Sequence, residues 1–343
     1  MKSTPNTLYV TQQECHLTKE GETIIVKKDK EKILQLPIHT IGHIVCFGFT
    51  IYVSSPLMAF CAEKSVSITW LTETGKFLGR VEGAIKGNVL LRRTQYRWAD
   101  DVNRSRKIAQ CVIAAKLNNS RMNLQRFLRN RSGNAQTEAV QNAIDKLGRL
   151  INQVEACRSM DNLRGIEGEA AGLYFAVFDH LILHQKELFR FNGRNRRPPR
   201  DPVNALLSFA YTLVTLDIRS ALETVGLDPY VGFLHVDRPG RPSLALDLVE
   251  ELRAPLADRL VLNLINLKQV QAEHFEILGT EVNMTPECRK ILISAYQNRK
   301  KDVIRHPFLD EKMEIGILIQ TQALLLSRHI RGDLDIYPAL VWR

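Results

Sequence analysis

The feature that most constrains this chain is a single change of hydrophobic period near residue 87. Before it, short apolar runs are separated by turn-forming residues: Leu8-Tyr9-Val10, Thr23-Ile24-Ile25-Val26, Ile33-Leu34-Gln35-Leu36, Gly42-His43-Ile44-Val45-Cys46, the alternating Val66, Ile68 and Trp70, and Phe77-Leu78-Gly79-Arg80-Val81. Runs of this length, rich in β-branched and aromatic residues, read as strands. One helix interrupts them, where Ser55 caps Pro56-Leu57-Met58-Ala59-Phe60-Cys61-Ala62 with proline at a favoured first helical position. From about Asn88 onward the apolar spacing is helical, with breaks near Gly133, 158–162, 193–202, 226–229 and Pro307. Strands and helices are therefore segregated along the chain and do not alternate, which specifies an α+β protein. A small N-terminal β-rich domain spans residues 1–87, and a larger all-α domain spans 88–343. At 343 residues the chain is long enough for two separate cores.

Composition closes off several classes. The chain is 45% hydrophobic and 24% charged, as expected of an ordinary globular protein. Its six cysteines, at 15, 46, 61, 111, 157 and 288, form no Cys-x-x-Cys pair, so they read as reduced core residues and not as a disulfide or zinc framework. The first seven residues contain no apolar signal core, and no stretch was expected to reach the roughly 18 uncharged apolar residues of a membrane span. The expectation is a cytoplasmic protein with no membrane partner. No Gly-rich phosphate loop or dinucleotide fingerprint follows any strand, so a nucleotide cofactor is unsupported. His180 and His184 are four residues apart, but no glutamate follows His180 as the zinc-protease pattern requires. Core or supporting roles were expected for both.

A net charge of +10 suits a polyanionic partner, and its distribution is informative. Between Asp101 and Glu138 there is no acidic residue, while Arg104, Arg106, Lys107, Lys116, Arg121, Arg126, Arg129 and Arg131 all fall there. Ile113, Leu117, Leu124 and Leu128 recur at helical spacing, which predicts an amphipathic helix with a cationic outer face. A second cluster, Arg190, Arg194, Arg196, Arg197 and Arg200, lies among Gly193, Pro198, Pro199 and Pro202 and reads as a loop. Each cluster alone fits a solvated face equally well. Two in one domain that also offers a metal site point to nucleic acid.

That metal site is suggested by three distant stretches: Gly165-Ile166-Glu167-Gly168-Glu169, His235, and Asp247-Leu248-Val249-Glu250. One imidazole and several carboxylates, with no thiolate nearby, suit Mg²⁺ or Mn²⁺ better than a structural zinc ion. Such an ion stabilises charge in phosphoryl transfer. Asp247 and Glu250 are three residues apart, so they share one face of a helix that Ser243 would cap after Pro242. The same spacing also fits two acids on a solvated face near the positive end of the helix dipole. His235 follows Tyr230-Val231-Gly232-Phe233-Leu234 and precedes a breaker-rich run, which puts it at the lip of a loop. Glu167 lies among small and apolar residues, where a carboxylate needs a partner. Composition does not choose between Glu167 and Glu169.

Four motifs carry a family resemblance. They are Gly165-Ile166-Glu167-Gly168-x-Ala170-Ala171-x-x-Tyr174-Phe175; Asn195-Arg196-Arg197-Pro198-Pro199-x-Asp201-Pro202-Val203-Asn204, continuing to Tyr211; Gly232-Phe233-Leu234-His235; and Gly240-Arg241-Pro242-Ser243-Leu244-Ala245-Leu246-Asp247-Leu248-x-Glu250-Glu251. Together they resemble the CRISPR-associated integrase family ("Cas-one"), the catalytic subunit of spacer acquisition. The ending Arg331-Gly332-Asp333-Leu334-Asp335-x-Tyr337-Pro338 is similar to the branch found in type I-C systems. The resemblance implies a β-domain that forms a homodimer and a helical catalytic, DNA-binding domain. It also implies assembly with a small companion protein ("Cas-two") on double-stranded DNA, both spacer precursor and CRISPR repeat. By motif, a Mg²⁺ or Mn²⁺ ion would be held by Glu167, His235 and Glu250, with Asp247 in a supporting catalytic role. Asn204 and Tyr211 match cleft-lining positions, and Arg196, Arg197 and Arg241 are expected to meet DNA or line the cleft. The reaction implied is attack of a DNA 3′-hydroxyl on a repeat-strand phosphodiester. Two alternatives use the same surface: a DNA-binding scaffold without catalysis, and a general nuclease for branched DNA or RNA in which water attacks.

Overall fold

The computed structural model describes residues 6–84, 88–129, 135–195 and 198–342, with only the backbone described at Ala135. The chain divides into two compact units, residues 1–86 and 87–343.

The first unit contains β1 (Asn6–Val10), β2 (Cys15–Glu20), β3 (Thr23–Lys28), β4 (Glu31–Pro37), β5 (Ile41–Phe47), β6 (Tyr52–Val53), α1 (Ser55–Glu63), β7 (Ser67–Leu71) and β8 (Phe77–Val81). They form two four-stranded sheets, in the orders β1-β5-β7-β8 and β4-β3-β2-β6. β1, β5 and β7 run parallel, and β8 returns antiparallel to β7. Val10, Ile44, Cys46 and Ile68 of one sheet share a buried cluster with Leu17, Ile24 and Val26 of the other and with Leu57, Phe60 and Cys61 of α1. Each such side chain contributes about 1.5–3 kcal/mol of apolar burial. Strands β2 and β6 were not anticipated. In β2 only Cys15 and Leu17 are buried, too few apolar positions to mark a strand by alternation. The N-cap of α1 is Ser54, one residue earlier than expected, and it makes no side-chain cap bond.

The second unit contains α2 (Val89–Asp100), α3 (Val102–Leu128), α4 (Ala135–Ala156), α5 (Met160–Ala176), α6 (Pro202–Thr224), α7 (Ser243–Leu252), α8 (Arg259–Asn266), β9 (Phe275–Leu278), β10 (Glu281–Met284), α9 (Pro286–Lys300), β11 (Val303–Arg305), β12 (Lys312–Glu314) and α10 (Ile315–Arg331). It is helical apart from two antiparallel hairpins, β9–β10 and β11–β12, which correct the expectation of an all-α domain. Helix α3 packs against α4, α5 and α7. Its start is capped by Asp101, which accepts from the amides of Asn103 at 2.9 Å and Arg104 at 3.1 Å. Helix α6 is long and apolar enough by length and composition to cross a membrane, but it carries Asp217 and Arg219 and most of its apolar stretch is buried inside the fold.

Two backbone features shape the neighbourhood of α7. The helix passes into a π-helical turn, Arg253–Asp258, that contains Pro255. Proline has no N–H and its ring clashes with the carbonyl four residues back, so a widened turn is the expected local answer. The carbonyl thereby freed, that of Glu251, instead accepts from Asn119 Nδ2 of α3 at 2.8 Å. The same amide nitrogen donates to Leu340 O at 2.7 Å, and Trp342 N donates to Asn119 Oδ1 at 2.7 Å. Glu251 holds this C-terminal strap as well. Its carboxylate accepts from Tyr337 Oη at 2.7 Å, Gln322 Nε2 at 2.9 Å and Leu340 N at 2.7 Å. Burial still pushes that carboxyl up to about 7, against the pull of those three donors.

Candidate functional site

Helix α7 is buried around almost its whole circumference, with Asp247 at 0% and Glu250 at 2% relative exposure. That excludes the reading of these acids as a solvated face. The residue before the helix is Pro242, and Ser243 does not cap it; its hydroxyl donates instead to Val236 O at 3.3 Å. Asp247 binds the histidine loop. Its carboxylate accepts from the amides of Phe233 at 2.7 Å, Leu234 at 3.0 Å and His235 at 3.0 Å, and it lies 2.7 Å from His235 Nδ1. A carboxylate at Nδ1 calls for the ring proton there, which leaves the Nε2 lone pair available to a cation. Gly232 makes this approach possible. A Cβ at that position would lie 2.9 Å from Asp247 Oδ2 and from the Ser243 backbone and side chain.

Glu250 and Glu167 converge on one cation. Lys116 of α3 forms an ion pair with Glu167 of α5, and its Nζ lies 2.7 Å from Glu250 Oε2 of α7. Arg253 Nη2 reaches the other Glu250 oxygen at 3.1 Å, and His235 Nε2 stands 3.9 Å from that same oxygen. Burial on its own would raise the Glu250 carboxyl, but Arg253 and Lys116 outweigh it and hold the group at about 2. Glu169 is exposed, whereas Glu167 is half-buried against Lys116.

The donor set fits a hard divalent ion. Two carboxylates from different helices meet on positive charge, and an imidazole with a free Nε2 faces one of them. Among the described residues, no three His, Cys, Asp or Glu side chains are close enough together to form a finished metal cage. The Lys116 ammonium stands where the carboxylates converge.

Lys116 corrects the expected cationic outer face of α3. Arg104, Lys107, Arg126 and Arg129 do face outward, but Arg106 and Lys116 are buried at 7% exposure, and Arg131 lies outside the described residues. Arg106 donates to Cys157 O at 3.2 Å. The missed signal was spacing: Ala109, Val112, Lys116, Asn119 and Asn123 recur at intervals of three and four and form one buried stripe. Arg253 was also missed, although it stands three residues after Glu250, the helical spacing that brings the two side chains together.

Arg196 and Arg197 lie outside the described residues. Asn204 does not line a cleft. It is completely buried at the start of α6, where its side chain donates to Gly193 O at 2.8 Å and Asp201 Oδ2 at 2.7 Å and accepts from Arg194 and from Asn195 N. Its amide fastens the arginine-rich loop. Arg194 turns inward as well, with its guanidinium 5.2 Å from the Tyr211 ring. Tyr211 lines a narrow cleft with Lys116, Tyr174, Arg253 and Asp258. Its hydroxyl donates to Asp258 at 2.5 Å, and Tyr174 donates to the other oxygen at 3.0 Å. Burial pushes the Asp258 carboxyl up to about 6 in spite of these donors. Arg241 is half-buried in the turn before α7. His184 is exposed and His180 half-buried, both beyond the end of α5, so neither is a core residue.

Comparisons with known proteins agree with this architecture. The family model described as CRISPR associated protein Cas1 matches residues 8–298. A CRISPR-associated endonuclease Cas1 of Chlorobaculum tepidum is 49% identical over 344 residues, covering 100% of both chains. Among solved structures, a Cas1 protein from Thermotoga maritima superposes with a TM-score of 0.81 at 23% identity, covering 95% of this chain and 97% of its own. A casposase bound to its integration product superposes with a TM-score of 0.83 at 20% identity, covering 98% and 94%. The two structures share the fold, and the match in sequence runs the full length of the chain; it belongs to the Cas1 family of CRISPR-associated proteins.

Proposed function

We propose that this chain is a divalent-metal-dependent DNA integrase of CRISPR adaptation. It would join the 3′-hydroxyl ends of short DNA segments to the CRISPR repeat, with an associated endonuclease activity. The observation that carries the reading is the convergence of Glu167 and Glu250 on Lys116, with His235 Nε2 3.9 Å from Glu250. In the reaction, a 3′-oxygen forms a bond to a repeat-strand phosphorus and the bond from that phosphorus to its own 3′-oxygen breaks. The attacking hydroxyl gives up its proton, and the departing 3′-oxygen takes one. No covalent protein intermediate is required.

Glu167, His235 and Glu250 would hold Mg²⁺ or Mn²⁺, which supplies charge stabilisation on the phosphate and activation of the hydroxyl. Asp247 keeps the His235 proton on Nδ1 and so directs Nε2 towards the carboxylates. Lys116 and Arg253 balance the two acids, keeping Glu250 ionised inside the protein. The exposed Arg104, Lys107, Arg126 and Arg129 offer phosphate contacts along α3. In the N-terminal unit, β4 is an edge strand with Ile33 and Leu34 exposed, which suits a homodimer contact. Double-stranded DNA and the small companion protein complete the proposed assembly, acting in the cytoplasm.

The test is a strand-transfer assay with Mn²⁺, a labelled duplex bearing free 3′-hydroxyl ends and a supercoiled target, run with and without the companion protein. Label joined to target, and lost in Glu167→Ala, His235→Ala and Glu250→Ala while DNA binding persists, is the expected result. Metal-dependent cleavage without joining would replace the integrase by a nuclease that uses water. Binding with no product would leave a scaffold.

A further inference from the structure

His235 sits on a loop with no regular structure of its own, and the carboxylate of Asp247 fixes only its last three amides. The entry to the loop is held from α2. Only two residues of that helix are buried, Leu91 and Gln95, and Gln95 is wholly buried. An amide side chain in that position is costly unless every polar group is paired. Gln95 Nε2 donates to Asp228 O at 2.8 Å and Val231 O at 2.9 Å, and Asp228 N donates to Gln95 Oε1 at 2.9 Å. Both amide protons and the carbonyl are thus used on one loop. The neighbouring Tyr96 adds a bond from its hydroxyl to Asp228 Oδ2 at 2.8 Å.

The position of Val231 gives these bonds their leverage. Its carbonyl shares a rigid peptide plane with the nitrogen of Gly232, the residue with no room for a Cβ against Asp247 and Ser243. Fixing the Val231 carbonyl therefore sets the plane from which Phe233, Leu234 and His235 present their amides to Asp247. Helix α2 holds the entry to the segment, Asp247 of α7 holds its amides, and Arg164 of α5 donates to Leu234 O at 3.2 Å, so the imidazole direction follows from all three.

We propose that Gln95 is a positioning residue that helps direct His235 towards Glu250. The inference rests on the reading of His235 as a metal-binding group in the proposed reaction. Loss of a direct hydrogen-bond partner of a metal ligand lowers metal affinity by about 10- to 100-fold, and Gln95, which acts on the loop backbone and not on the imidazole, should cost less.

The experiment compares full-length wild type, Gln95→Leu and Gln95→Glu, each with isotope-labelled histidine, using His235→Ala to assign the His235 ring signals. Gln95→Glu keeps an acceptor for Asp228 N–H but loses both donors, and it serves as the test variant if Gln95→Leu does not fold. The expected result is a shifted or broadened His235 ring signal, unchanged signals from the other histidines, and Mn²⁺ binding weakened by up to about 10-fold. A folded variant with the wild-type His235 signal and wild-type Mn²⁺ affinity would overturn the proposal. If the wild type forms no Mn²⁺-dependent DNA product, the integrase reading fails, while the ring signals still decide whether Gln95 positions His235.

Discussion

Replacing Lys116 by methionine keeps most of a buried side-chain stem and removes the charge shared by Glu167 and Glu250. The two acids respond differently. The side chain of Glu167 is 30% exposed and can turn towards water, so its part of the loss is discounted. Glu250 is 2% exposed and retains Arg253 at 3.1 Å, with His235 Nε2 farther off at 3.9 Å. Losing one charged partner of a buried carboxylate costs about 2–3 kcal/mol, below the roughly 3–5 kcal/mol of leaving it entirely alone. For a unit of this size each kcal/mol moves the unfolding midpoint by about 2–4 °C, which predicts a fall of about 4–12 °C in chelator. Divalent metal should reverse the loss, because the two carboxylates then have no competing ammonium. An ion present at about 100 times its dissociation constant adds about 2.7 kcal/mol. The assay is thermal unfolding of wild type and Lys116→Met at neutral pH, each in chelator and in Mn²⁺. An unchanged midpoint in chelator, or a Mn²⁺ shift no larger than that of wild type, would refute the reasoning.

Two further outcomes follow from the same geometry. Gly232→Ala places a Cβ 2.9 Å from Asp247 Oδ2 and from Ser243, so it should destabilise the helical unit by about 1–3 kcal/mol and reduce Mn²⁺ affinity, as measured by denaturant unfolding and metal titration. The Glu250 carboxyl is held at about 2 against an ordinary 4.5. A depressed carboxyl stabilises the fold fully above its unfolded value and loses that contribution as pH falls towards the folded one. This group should contribute about 3 kcal/mol above pH 4.5, fading towards pH 2, so the stability gap between wild type and Glu250→Gln should close over that interval. A gap that stays constant down to pH 2 would contradict the assignment.

Much of this organisation was legible in the sequence, because a change of hydrophobic period is a local property. The strands around Ile24, Leu34, Ile44 and Ile68, the helix at Leu57 and the acid-bearing helix at Asp247 all announce themselves within a few residues. What escaped depends on distance or on a broken rule. Lys116 looked like one more solvated cation because its acids are carried by other helices. Arg253 sat at helical spacing from Glu250 and was legible once that helix was extended past Leu252. Asn204 matched a motif, yet its amide is engaged within its own loop. Gln95 carries no local signal at all, since the carbonyls it serves belong to a loop far along the chain.

The strap formed by Tyr337, Leu340 and Trp342 has a consequence for the order in which the protein matures. Glu251 leaves the ribosome long before the residues that donate to it, and until they emerge its carboxylate lacks Tyr337 and Leu340 as partners. Asn119 likewise waits for the carbonyl of Leu340 and the amide of Trp342. Glu251 is the immediate neighbour of Glu250, so the helix presenting this acid acquires its final polar contacts only when synthesis has reached residue 342. A nascent chain would carry Glu167, His235 and Glu250 without the strap that completes the setting of α7, and DNA near a translating ribosome would meet a protein still unassembled.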